Sequence, residues 1–203
     1  MPRQTRQAMM AQTRALLIAS ARQAFAQVGY AQTSMDAFTA KAGLTRGALY
    51  HHFGSKEGLL RAVVEQIEGE VALRLEAIGA AAGTPLEGFR RRCCAYLEFA
   101  LEPEIRRIVL QDTRAVFGDV PAAAQSAAIL TLETALHTLV DAGTIAPVAA
   151  PAAARMIYGA VTEAAFWIAE SDDAQADRLA EALRTLHRVL DAILLPPPQG
   201  PIR

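Results

Sequence analysis

Alternating apolar and polar runs bounded by hairpin turns are missing from these 203 residues, so nothing in the chain calls for a strand. No apolar run approaches the roughly 18 residues that a membrane-spanning helix needs. The stretch Ala15 to Ala21 follows three arginines as the core of a secretion signal would, but it is too short, and Arg22 and Gln23 stand where a cleavage site belongs. Cysteine is nearly absent. Cys93 and Cys94 are adjacent, too close for ordinary disulfide geometry and too few for a scaffold, which points to a reduced, cytoplasmic protein with inert thiols. Enzyme signatures are missing as well: there is no glycine-rich phosphate loop after a strand, no His-Glu-x-x-His, no nucleophile elbow and no Cys/His cluster with metal spacing. No catalytic residue, metal or cofactor is therefore expected, and no membrane partner.

Charge of one sign is not in excess overall, with 20 basic and 21 acidic residues, but it is unevenly spread. Residues 1–60 hold seven basic side chains (Arg3, Arg6, Arg14, Arg22, Lys41, Arg46, Lys56) against Asp36 and Glu57, a net of +5 that leaves −6 for the rest. A basic quarter on an acidic remainder is the footprint of a nucleic-acid module joined to a second body. Ala, Leu, Arg, Glu and Gln dominate throughout, and the periodicity predicts an all-α chain. After a polar arm over 1–13, a first helix carries Leu17, Ala21, Phe25 and Val28 on one stripe and ends at Gly29. Two short helices follow, from about Met35 to Ala42 and from Thr45 to about His52. A long fourth is capped by Ser55, and five more run from Pro85 to Leu195. Nine helices are expected: three in the basic quarter and six in a regulatory and dimerisation domain. The division expected is a DNA-binding domain at 1–60, a ligand-binding and dimerisation domain at 61–195, and a disordered tail at 196–203 behind Pro196-Pro-Pro198.

The turn Ala42-Gly43-Leu44-Thr45 joins the two short helices with glycine where a left-handed residue is needed. Phe25, Phe38, Leu44 and Leu49 are spaced for a small core among three helices. The third helix opens Thr45-Arg46-Gly47-Ala48, small and basic, which lets its N-terminal end enter a major groove. In order, the chain reads Leu17-x3-Ala21-x3-Phe25-x3-Gly29-Tyr30, Thr33-Ser34-Met35, Ala42-Gly43-Leu44-Thr45-Arg46-Gly47-Ala48-Leu49-Tyr50-His51-His52-Phe53 and Ser55-Lys56-Glu57-x-Leu59-Leu60. Over these 45 or so residues it resembles the TetR family of bacterial regulators, departing from it where the usual Ile-Ala of the second helix is Phe38-Thr39. The resemblance implies that Thr45, Arg46, Gly47 and Ala48 face bases, with Tyr50 reaching base or backbone unless it merely covers the small core. It makes Thr33, Ser34, His51 and Lys56 phosphate contacts and Arg3, Arg6 and Arg14 arm contacts. Arg46 is the strongest candidate reader, since arginine to guanine is the commonest specific contact.

Behind residue 61 the resemblance implies a ligand cavity and dimerisation through the last two helices. Leu179, Leu183, Leu186 and Leu190 make one apolar stripe, and Ile157, Ala160, Ala164 and Ile168 a matching one rich in small residues. Two such helices per chain suit a four-helix bundle across a two-fold axis, and closure of the monomer core is the alternative. Candidate cavity residues are Phe89, Phe99, Ile108, Phe117, Met156, Phe166 and Trp167, with Asp112, His137 and Glu163 to orient a ligand. Expected partners are thus a double-stranded DNA operator, a small apolar or aromatic effector and a second copy of the chain. The function expected is a repressor released by its effector. The alternatives are an activator of the same family or a small all-helical enzyme.

Overall fold

The computed structural model describes residues 6–41, 43 and 45–195. The arm contact expected of Arg3, the core position of Leu44 and the disordered tail at 196–203 fall outside the described residues. The elements are α1 (Arg6–Gln32), α2 (Met35–Lys41), α3 (Arg46–Phe53), α4 (Lys56–Ala80), α5 (Pro85–Phe99), a π-helix (Ile105–Asp112) running into α6 (Thr113–Phe117), α7 (Ala122–Asp141), α8 (Ala150–Ala169) and α9 (Gln175–Ile193). Among the described residues there is no strand, and no single helix is long and apolar enough to cross a membrane.

Local chemistry sets most of the boundaries. The Thr45 hydroxyl accepts the Ala48 N–H at 3.2 Å and starts α3, while Gly54, at φ 72, ends it by donating its N–H to Tyr50 at 2.9 Å. Thr84 caps α5 through the Glu87 N–H, and Pro85 occupies a first-turn position where its missing donor costs nothing. Two boundaries differ from expectation. Helix α1 already includes Arg6 and the rest of the predicted arm up to residue 13, because Gln, Ala and Met there are good helix formers. Its stripe also ends differently: Val28 is exposed, and Gly29, where the backbone breaks (φ 79, ψ 164), is buried.

The chain packs as two compact units, one from 1–68 with 103–121, the other from 69–102 with 122–203. The expected division after residue 60 falls inside α4, and the 103–121 segment packs with the N-terminal body. In the first unit Leu17, Ala21, Phe25 and Leu49 are wholly buried and Phe38 nearly so. Each large side chain among these adds about 1.5–3 kcal/mol of hydrophobic stabilisation. Leu59, Leu60, Val63 and Val64 of α4 are buried as well, and α1 packs on the π-helix, whose Ile105, Ile108 and Val109 are buried. The Phe38-Thr39 departure is absorbed: Thr39 is buried with its hydroxyl donating to the Met35 carbonyl at 2.7 Å.

In the second unit α8 is the central element, packed against α5, α7 and α9. Its alanines 150, 153, 154, 165 and 169 are buried alongside Ile157, Val161, Phe166 and Ile168. Small side chains on several sides of one helix let three neighbours approach it.

Candidate DNA-binding interface

Helix α3 is anchored by one residue and presents the rest. Leu49 is wholly buried, and Thr45, Arg46, Gly47 and Tyr50 are exposed, with Ala48 half-buried at the edge. A Cβ added at Gly47 would meet only the Thr45 hydroxyl, at 3.8 Å, so that edge is low and open. Arg46 reaches Asp36 on α2 (Nε to Oδ1 3.2 Å) and donates to the Tyr50 hydroxyl at 3.4 Å, its guanidinium lying 5.8 Å from the Tyr50 ring centre. Both partners, the Tyr50 hydroxyl first, hold the Arg46 pKa above its ordinary value. Arg46 and Asp36 are both exposed, so water screens the pair and it holds the guanidinium only weakly. Asp36 and Tyr50 thus hold the Arg46 guanidinium on the exposed side of α3. Asp36 was legible only as the lone acidic residue of α2, with no signal that it faces Arg46.

The predicted phosphate contacts divide. Ser34 and His51 are exposed, Arg6 and Arg14 lie along the open side of α1, and the Arg14 guanidinium sits 5.3 Å from the Phe53 ring. Lys56 is half-buried with its ammonium 4.3 Å above the Tyr30 ring, a cation–π contact that aims a long side chain. Thr33 is the correction. It is buried, and its hydroxyl donates to the Gly29 carbonyl at 2.7 Å, so it shapes the turn into α2 and is not free for a phosphate. Beneath this edge, burial and then Glu57 push the Tyr30 phenol up to about 12. Asp112 sits above the usual carboxylate range through burial, although the Tyr30 N–H and Arg107 oppose the shift.

The predicted ligand residues are shared between the two units. Ile108, Asp112 and Phe117 belong to the first unit, where Ile108 is core, Asp112 accepts the Tyr30 N–H and Phe117 lies under Arg61. Phe89, Phe99 and Phe166 are in the core of the second unit. His137 and Glu163 are exposed, and Met156 is 68 % exposed, which removes these three from any enclosed cavity of a single chain. Trp167 is half-buried with the Arg178 guanidinium 4.9 Å from its ring. It borders an open apolar groove of about 210 Å³ with Ala160, Ala164, Thr185 and Val189.

The residues of the two interface stripes divide by burial. Ile157, Ile168, Leu186 and Leu190 are buried inside the chain, Leu179, Leu183 and Ala164 are half-buried, and only Ala160 is exposed. An apolar stripe goes first to its own core. The surface left over is the next face around, with Met156, Gly159 and Ala160 on α8 and Glu181, Thr185 and Val189 on α9. The thiols are quiet: burial pushes Cys93 up to about 12, and burial likewise raises Cys94, whose Sγ is 3.8 Å from His187 Nε2.

Comparison with known proteins covers both units. Residues 17–63 match the model of bacterial regulatory proteins of the tetR family, and residues 86–193 match a tetracyclin repressor-like C-terminal domain. A solved TetR-family transcriptional regulator from Pectobacterium atrosepticum is 51% identical, covers 96% of this chain and 100% of its own, and superposes with a TM-score of 0.88. A structure described as the molecular basis for control of antibiotic production by bacterial hormones is 29% identical over 90% of this chain and 97% of that one, with a TM-score of 0.67. The HTH-type transcriptional regulator AcrR of Shigella flexneri is 33% identical over 112 residues, 55% of this chain and 52% of that protein. The UidR regulator of Escherichia coli K12 is 33% identical over 76 residues, 37% of this chain and 35% of that protein. The chain thus spans about half or less of the length of these curated relatives.

Proposed function

The chain belongs to the tetR family of bacterial regulatory proteins, and from that premise we propose that it is a repressor that grips a palindromic operator as a homodimer and releases it when a small apolar or aromatic molecule binds the C-terminal body. Membership makes it a transcriptional regulator and not an enzyme; repression, the dimer and the effector are our reading. The observation that carries this reading is the edge of α3, where one buried leucine fixes the helix and leaves a low, exposed edge with an arginine held by Asp36. A helix of eight residues gives a weak hold alone, and two copies related by a two-fold axis read two half-sites about one DNA turn apart.

The second copy is proposed to sit on the leftover face of α8 and α9, over the groove beside Trp167. Small residues there allow close helix approach, and the groove is apolar and open. The protein works in the cytoplasm, where its DNA is. The effector is proposed to lie among the aromatic side chains of the second unit, around Phe89, Phe99 and Phe166. It drives release only to the extent that it prefers one arrangement of the two α3 helices. Selection of duplexes from a random pool tests the reading. A palindromic site protected symmetrically is the expected result, and protection of one asymmetric half-site would overturn it.

A further inference from the structure

The segment from Glu104 to Asp112 lies outside any helix-turn-helix, yet it holds the end of α1 at three points. The Glu104 carboxylate accepts both arms of Arg22, Nε at 2.7 Å and Nη2 at 2.8 Å. Asp112 accepts the backbone N–H of Tyr30 at 2.8 Å, and Arg107 donates to the carbonyl of Val28 at 3.3 Å. The last two contacts flank Gly29, where α1 breaks. A helix break leaves N–H and C=O groups without intrahelical partners, and these two side chains supply them. Gly29 is required twice: its φ of 79 suits glycine, and a Cβ there would collide with the Arg107 guanidinium.

The winding of the segment matters. Arg107 and Asp112 are five residues apart and stand 3.9 Å from one another. Side chains meet across an α-helix at spacings of three or four, and five residues fall about 140° apart around it. A π-helix closes its hydrogen bonds over five residues and winds more widely than an α-helix, which brings residues five apart nearer to one side and both groups to the same corner of α1. Thr113 anchors that winding by directing its hydroxyl, at 2.8 Å, and its N–H to the Ile108 carbonyl five residues back. Beyond the corner the chain passes straight into α2 and α3, and Lys56 packs on the Tyr30 ring.

We propose that Glu104, Arg107 and Asp112 are positioning residues for DNA recognition, a π-wound clamp that fixes the break at Gly29 and thereby the stance of α2 and α3. This rests on the DNA-binding reading above and adds to it a regulatory lever: rewinding the segment as α-helix carries Asp112 away from Tyr30 and loosens the reading head. The test uses the full chain and a duplex selected from a random pool by the wild-type protein. Asp112→Ala lowers affinity for that duplex by about tenfold, whereas Asp112→Asn, whose amide oxygen still accepts the Tyr30 N–H, stays within about threefold of wild type. Arg22→Glu loses affinity, and adding Glu104→Arg restores most of it. Exchange of the Tyr30 N–H supplies a reading that needs no variant, slowing when the duplex is added. A wild-type chain that selects no duplex sinks the DNA reading together with this inference. A wild-type chain that binds while Asp112→Ala binds equally well, or a Tyr30 N–H indifferent to DNA, overturns the clamp alone.

Discussion

The two units of this chain are built of the same helices and spend them differently. The first carries eleven basic and seven acidic residues, the second nine and fourteen, so one has a net charge of +4 and the other −5. In the first unit arginine and lysine lie over Phe53, Tyr50, Tyr30 and Phe117, and short helices are held by single buried anchors such as Leu49. In the second, alanine-rich α8 is enclosed by its neighbours. Charge held by aromatic surfaces near an open helix edge serves recognition of a polyanion. Tight apolar packing with an uncovered face is what the proposed dimer would use.

Four tests probe that contrast, the largest effect first, and the first of them pairs two substitutions. Leu186 is 6 % exposed and Val189, one turn nearer the surface, is 37 % exposed. Leu186→Glu puts an unpaired charge in the core and costs several kcal/mol, unfolding the second unit in a thermal melt. Val189→Glu leaves the melt of the chain in place and splits the dimer in sedimentation; a Val189→Glu protein that still sediments as a dimer would move the interface elsewhere. Thr45→Ala removes the cap of α3 and lowers the stability of the first unit by about 1 kcal/mol, measured by urea titration of the helical signal.

The third concerns Tyr30, whose phenol stays protonated to about 12 in the folded chain against an ordinary value of 10.0. The folded state holds its proton longer than the unfolded state, so the contribution is full below pH 10 and disappears as pH rises toward 12. Tyr30→Phe flattens the stability–pH curve in that window; an unchanged slope would show that the phenol is not shielded. The fourth is the smallest. Lys56→Ala weakens binding to all DNA sequences about equally and reduces the salt slope by about one. A change in sequence preference would place Lys56 at a base.

The first unit was largely legible because its signals are local. Gly43 and Gly54 mark turns at positive φ, Thr45 caps a helix, and spacing of four puts Leu17, Ala21 and Phe25 on one buried line. Its hidden part is the clamp. A five-residue winding leaves no distinct mark in a short apolar pattern, and pairings 82 residues apart, such as Arg22 with Glu104 and Tyr30 with Asp112, have no local trace. The second unit was legible only as helices. Periodicity identifies which face is apolar but not what covers it, so Leu186 and Leu190 pointed to a partner when they close their own core. Aromatic and methionine content likewise located apolar side chains without telling Phe166 in the core from Met156 on the surface.

In the proposed reading, α3 contacts bases through Arg46 while the rest of the first unit holds phosphates and posture. Selecting duplexes with wild-type protein and with Arg46→Ala, and titrating each against selected and random DNA, tests it most directly. The account predicts that Arg46→Ala loses about 1–3 kcal/mol for the selected palindrome, relaxes preference at one or two base pairs in each half-site, and binds random DNA nearly as before. Equal losses on selected and random DNA would contradict it, and would make Arg46 one more phosphate contact.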